Sequence, residues 1–112
     1  MTRAEAEEEI RKELTTARAA RERGNEGMAR VCARRAAGVA VAHWLERHPH
    51  KAWKRDAMNL LREVESDDTL PDAVRNAARR LTTRITEKFT LPFTEDPMED
   101  AAIIINYFLE NP

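Results

Sequence analysis

The chain has 112 residues, of which 42% are hydrophobic and 35% charged, with a formal net charge of −1. That is enough for one domain with a real core and too little for two, and its regularly spaced aliphatic residues argue against disorder. No apolar run reaches the ~18 residues that span a bilayer, the opening TRAEAEEEIRKE is too charged for a signal peptide, and the single Cys32 excludes an internal disulfide and suits a reducing compartment, so the expected location is the cytoplasm.

Thr2 and Glu5 have capping-box spacing, and Ala6, Ile10, Leu14 and Ala17 form a narrow apolar stripe, which predicts a first helix from Arg3 to about Arg23. Gly24-Asn25 stops it, with glycine as a left-handed cap and asparagine as the cap of the next helix. A link this short folds helices one and two into an antiparallel hairpin.

Helix two is predicted from Glu26 to about Arg47 and contains MARVCARRAAGVAVAHWL, Met28 to Leu45. Between Ala36 and Leu45 the one strongly polar side chain is His43, so this stretch has no solvent face and belongs at the centre of the fold. Arg34 and Arg35 precede it. Because a helix turns ~100° per residue, both cannot face inward, and at least one meets a surface or an interface.

His48-Pro49-His50 breaks the chain. A third helix is expected from Ala52 to Glu65, burying Trp53, Ala57, Leu60, Leu61 and Val64, and the acidic turn Ser66 to Thr69 ends it. Leu70-Pro71-Asp72 opens a fourth helix, in which Val74, Ala78, Leu81, Ile85 and Phe89 keep 3–4 spacing. Thr90 to Thr94 reads as irregular. Asp96-Pro97-Met98-Glu99 is a strong start for a fifth helix with Ala101, Ile104, Ile105 and Phe108 inside. Nothing reads as a strand. The expected fold is all-α, an up-down bundle of about five helices in one domain spanning residues 1–112.

Charge is distributed in blocks. Residues 31–62 carry seven Lys/Arg against Glu46 and Asp56, and 74–90 carry five against Glu87, while 63–73 and 91–112 each hold five acids and no base. Neighbouring elements of opposite sign can cancel one another; alternatively, the basic elements share a face that meets phosphates. Arg80, Arg84 and Lys88, spaced i, i+4, i+8, would line one side of helix four as a ridge, beside Arg79.

Other candidates carry simpler readings. His43 is expected to be a core histidine satisfied by one hydrogen bond, with a role as a base in a cleft as the alternative. Arg34 and Arg35 could clamp a phosphate bidentately or pair with Glu13 or Glu22. His48 and His50 lack partners at zinc spacing, Cys32 reads as a small core residue, and Trp44 and Trp53 are expected to pack against each other or close the bundle end, with base stacking as the alternative. No metal, cofactor or catalytic residue is expected.

The order of these elements resembles the HEPN family (higher eukaryotes and prokaryotes nucleotide-binding). The matching stretches are GNEGMARVCARRAAGVAVAHWL (Gly24 to Leu45), RDAMNLLREV (Arg55 to Val64), LPDAVRNAARRLTTRI (Leu70 to Ile85) and TLPFTEDPMEDAAIIINYFLE (Thr90 to Glu110). The resemblance implies a helical bundle, homodimerisation, and association with nucleotides, RNA or a small nucleotidyltransferase partner. Ribonuclease members carry an arginine and a histidine four to six residues apart. Here Arg35 and His43 have seven residues between them, and Gly38-Val39 stands where the family often has Glu-Lys. The leading expectation is a non-catalytic binding or interaction module that contacts nucleotide or RNA through Arg34, Arg35, Arg80, Arg84 and Lys88. A ribonuclease using Arg35 and His43, and a structural dimeric adaptor without ligand, are the alternatives.

Overall fold

Helix α1 (Arg3–Glu22) begins in the predicted capping box: the Glu5 amide donates to Thr2 Oγ1 at 3.1 Å and the Thr2 amide to Glu5 Oε1 at 3.0 Å. It ends in a Schellman turn. The amide of Gly24, at φ +79°, donates to the Arg21 carbonyl, and that of Asn25 to Ala20. Asn25 then caps α2 (Glu26–Leu45) by accepting from the Met28 amide at 3.0 Å. The hairpin is thus built from the two residues that suggested it.

The computed structural model describes residues 1–84 and 91–112, and these form five helices. α2 touches each of the other four, as its apolar composition requires. One hydrophobic cluster joins all five helices, and Leu60, Leu61, Leu81, Ile104 and Phe108 are almost wholly enclosed in it. Each such side chain contributes about 1.5–3 kcal/mol of transfer free energy. Trp44 closes one end, 5.7 Å from the Trp53 ring, 5.2 Å from Phe108 and stacked on His48 at 3.9 Å.

α3 (Ala57–Ser66) starts five residues later than the apolar pattern suggests. Asp56 is the reason: its carboxylate accepts from the amide and the side chain of Asn59 and fixes the helix start there. Trp53 consequently buries from the preceding loop. α4 (Asp72–Thr82) stops short of the expected Phe89, with Thr83 already extended. The hydroxyls of Thr82 and Thr83 bond back to the Ala78 and Arg79 carbonyls. In addition, α2 arginines engage the Arg80 and Leu81 carbonyls that a longer helix would use. The expected interior positions Ile85 and Phe89 lie outside the described residues. α5 (Pro97–Glu110) begins as predicted, with Asp96 accepting from the Met98 amide at 2.9 Å.

A shared device closes the remaining helix ends. The last carbonyls of a helix are unsatisfied and carry negative partial charge, and a cation answers both needs. α3 and α5 have no base in their own last turns. Arg75 of α4 supplies one to α3, donating to the Glu65 carbonyl at 2.9 Å, and Arg3 of α1 supplies one to α5, donating to Leu109 at 3.0 Å. For α2 the donor is His48 Nδ1, 2.9 Å from the Trp44 carbonyl. No helix among those described is long and apolar enough to cross a membrane.

Candidate functional site

Arginines gather around the C-terminal end of α4. Arg30 and Arg34, one turn apart on α2, both reach it. Arg34 Nε donates to the Leu81 carbonyl at 3.0 Å, and Arg30 Nη2 donates to the carbonyls of Arg80 and Thr83. Arg30 is only 4% exposed, and its guanidinium lies 5.9 Å from the Phe93 ring centre. Burial lowers the pKa of both arginines. The neighbouring Arg34 charge adds to the effect on Arg30, and Arg62 to that on Arg34.

Two adjoining cavities flank this end and share Thr82 and Thr83. The larger, about 700 Å³, runs between α3 and α4 and is lined by Arg62, Arg75 and Arg79, with Glu65 and Asp72 as its carboxylates. The smaller, about 350 Å³, is lined by Arg30, Arg34 and Arg84, with no acid among the described residues. Six arginines therefore face two carboxylates in a chain whose net charge is −1. Such a field attracts polyanions.

The structure redistributes the residues singled out in the sequence. Arg34 and Arg84 do share a cavity. Arg34 pairs with the α4 carbonyl rather than with Glu13 or Glu22. Arg80 turns inward: its guanidinium holds the Asp100 carboxylate at 2.8–3.2 Å, and the two side chains are 13% and 2% exposed. That bond raises the Arg80 pKa. Arg84 lies beyond the end of α4, so the expected ridge of Arg80, Arg84 and Lys88 does not form on that helix; Lys88 lies outside the described residues.

Arg35 opens instead onto a separate cleft of about 300 Å³ between α1, α2 and the start of α3. This cleft corrects the expectation of a fully enclosed α2, because Val39 and Ala42 border it and are only half-buried. His43 borders it too. It is buried as expected, at 6% exposure, but its Nδ1 has no hydrogen-bond partner among the described residues. Cys32 is a buried core residue, and its thiol pKa is raised chiefly by desolvation. Among the described residues no group of three His, Cys, Asp or Glu side chains is placed to hold a metal ion.

Arg30, Arg62 and Arg75 were not singled out from the sequence. One signal was available for Arg30, which shares an inward stripe with Ala33, Ala37 and Val41. An arginine on such a stripe must meet an acceptor. Arg62 and Arg75 come together only through the packing of α3 on α4. Set against family models, curated proteins and solved structures, the chain matches none of them.

Proposed function

We propose that the protein is a non-catalytic binding module whose arginine-rich end, around the C-terminus of α4, takes the phosphate backbone of RNA. The reading rests on one observation: six arginines against two carboxylates around two adjoining cavities. Like charges this close repel one another, and a row of phosphates relieves that repulsion while releasing counterions. Five of the arginines lie on three helices and Arg84 just beyond α4, a spread that suits several phosphates better than one. Arg62 and Arg79 are exposed and carry the contact; Arg30 and Arg34 hold the α4 end in place and add to the field.

The HEPN resemblance belongs to this reading, as do a homodimer and a cytoplasmic location. A nucleotidyltransferase partner is the other association that the resemblance implies. We favour binding over RNA cleavage by Arg35 and His43 because their cleft also carries Glu9, Glu13 and Glu46, carboxylates that repel a phosphate backbone. Titration of a fluorescently labelled single-stranded RNA tests the proposal. Binding that weakens steeply with salt, without loss of RNA length, supports it; cleavage that stops in His43→Ala supports the nuclease instead.

A further inference from the structure

The cleft beneath Arg35 is chemically unlike the arginine-rich end. Its floor is apolar, formed by Gly38, Val39 and Ala42 of α2 and by Ala57. Gly38 lets α2 and the start of α3 close on one another at this floor, since a Cβ at position 38 would lie 2.7 Å from the Ala57 Cβ. Above the floor stand two carboxylates from α1, Glu9 and Glu13, and two guanidinium groups, Arg35 from α2 and Arg55 from the segment entering α3. Glu9, Glu13, Arg35 and Arg55 form no ion pair within 4.0 Å among the described residues, whereas Glu46, the third carboxylate bordering the cleft, already meets the Met1 ammonium group at 3.4 Å. His43 also borders the cleft, and its Nδ1, enclosed on the inner side of the ring, has no hydrogen-bond partner among the described residues. A buried polar atom left this way costs free energy that a ligand can recover.

We infer that this cleft binds a small zwitterion, a free α-amino acid with an apolar side chain. The ligand carboxylate lies between Arg35 and Arg55, which offer planar pairs of donors suited to it. The ammonium group lies toward Glu9 and Glu13, and the apolar side chain covers Val39, Ala42 and the Gly38 backbone. His43 donates to the carboxylate after its ring turns about the Cβ–Cγ bond, which gives the orphaned nitrogen a partner. Size agrees with this assignment, because about 300 Å³ is at the small end of ligand pockets. A nucleotide phosphate does not fit the charge pattern, since it brings anionic groups without a cation for the two glutamates.

Calorimetric titration of the full chain with leucine tests the inference, alongside leucinamide (no carboxylate) and 4-methylpentanoate (no ammonium). Leucine should bind with a Kd at or below about 1 mM, and each analogue should lose about tenfold or more. Arg55→Gln and Glu13→Gln change polar groups at the rim, so thermal melting should confirm that both fold, and each should weaken leucine about tenfold. The ¹⁵N resonances of the His43 ring should move on saturation. The inference is overturned if leucine, isoleucine and phenylalanine all fail to bind at about 10 mM, or if leucinamide binds as well as leucine. It is also overturned if leucine binds without moving the His43 resonances, or if light scattering shows a dimer that Arg55→Glu dissociates, which would assign the cleft to a second copy of the chain. RNA binding at the α4 end is a separate property, and either can fail without the other.

Discussion

Arg34 Nε donates to the carbonyl of Leu81, 3.0 Å away, so a side chain from the middle of α2 finishes the last turn of α4. With Arg30 it replaces the donors that a longer helix would supply, which explains both why α4 ends at Thr82 and why Arg30 and Arg34 occur in a mostly apolar helix. Removing this donor leaves a part-buried carbonyl unanswered. Arg34→Ala is expected to lose about 1.5–3 kcal/mol of stability, the range for a hydrogen bond to a charged group. Urea denaturation measures the loss, and hydrogen exchange should show faster amides at Leu81 to Arg84 with α1 unchanged. An unaltered midpoint would remove Arg34 from this role.

The pair of Arg80 and Asp100 tests the interior in a different way. Asp100 is 2% exposed, and the guanidinium of Arg80 is its polar partner from α4. Asp100→Ala leaves the Arg80 charge stranded but for the more exposed Glu95, 3.6 Å away, and should cost about 3 kcal/mol. Exchanging both, as Arg80→Met with Asp100→Leu, removes the stranded charge and should regain most of that loss. A double variant no more stable than Asp100→Ala would show that packing, rather than charge, dominates here.

Helix order and the central place of α2 were legible in the sequence because they follow from local signals. Thr2 with Glu5, Gly24-Asn25 and Asp96-Pro97 each fix a boundary within a few residues. Where the reading erred, a side chain from elsewhere in the fold decided the outcome. The periodicity of Val74 to Phe89 gives no sign that Arg30 and Arg34 engage carbonyls of the last turn of α4. Asp56, three residues before Asn59, sets the start of α3, whereas the apolar pattern extends the helix back through Trp53, which packs inward from a loop. Of the candidate site, the concentration of positive charge was legible and its geometry was not: i, i+4 spacing suggested a ridge through Arg80, whereas the buried Asp100 turns that residue inward. Asp100 itself lies on the stripe of Ile104 and Phe108, and a carboxylate there implies a cation across from it.

Acid should weaken the junction of α1 and α5. Arg21 holds both oxygens of Asp96 at 2.9 Å and keeps that carboxyl below its ordinary value of 3.8. Because the folded pKa lies below the unfolded one, this contribution is present in full above pH 3.8 and disappears as pH falls through the folded value. Asp96→Asn keeps a capping oxygen for the Met98 amide and removes the charge. Melting temperatures followed by circular dichroism from neutral to acid should fall less steeply below pH 4 in that variant than in the parent. Parallel curves would show that the ion pair contributes nothing to the acid response.

Two glycines should respond to alanine for different reasons. At Gly38 the gain of about 1 kcal/mol in helix propensity opposes a contact of 2.7 Å with the Ala57 Cβ and 3.0 Å with its Cα. Overpacking of this kind costs about 1–3 kcal/mol, so Gly38→Ala should destabilise on balance. Gly24 has open space around it but sits at φ +79°, and alanine there should cost about 1–2 kcal/mol through backbone strain alone. Thermal melts distinguish the two: Gly24→Ser should behave like Gly24→Ala, whereas Gly38→Ser should be worse than Gly38→Ala. A stabilised Gly38→Ala would contradict the close approach of α2 and α3.

The arginine-rich end of α4 is tested most directly by the salt dependence of RNA binding in the parent and in Arg62→Ala/Arg79→Ala, both residues being exposed and remote from the core. A plot of log K against log salt loses about 0.7 of slope for each phosphate contact removed from a single strand. The account predicts a line shallower by about 1.4, weaker binding at low salt and an unchanged melting temperature. A parent that does not bind RNA, or a double variant with the same slope and affinity, would contradict it.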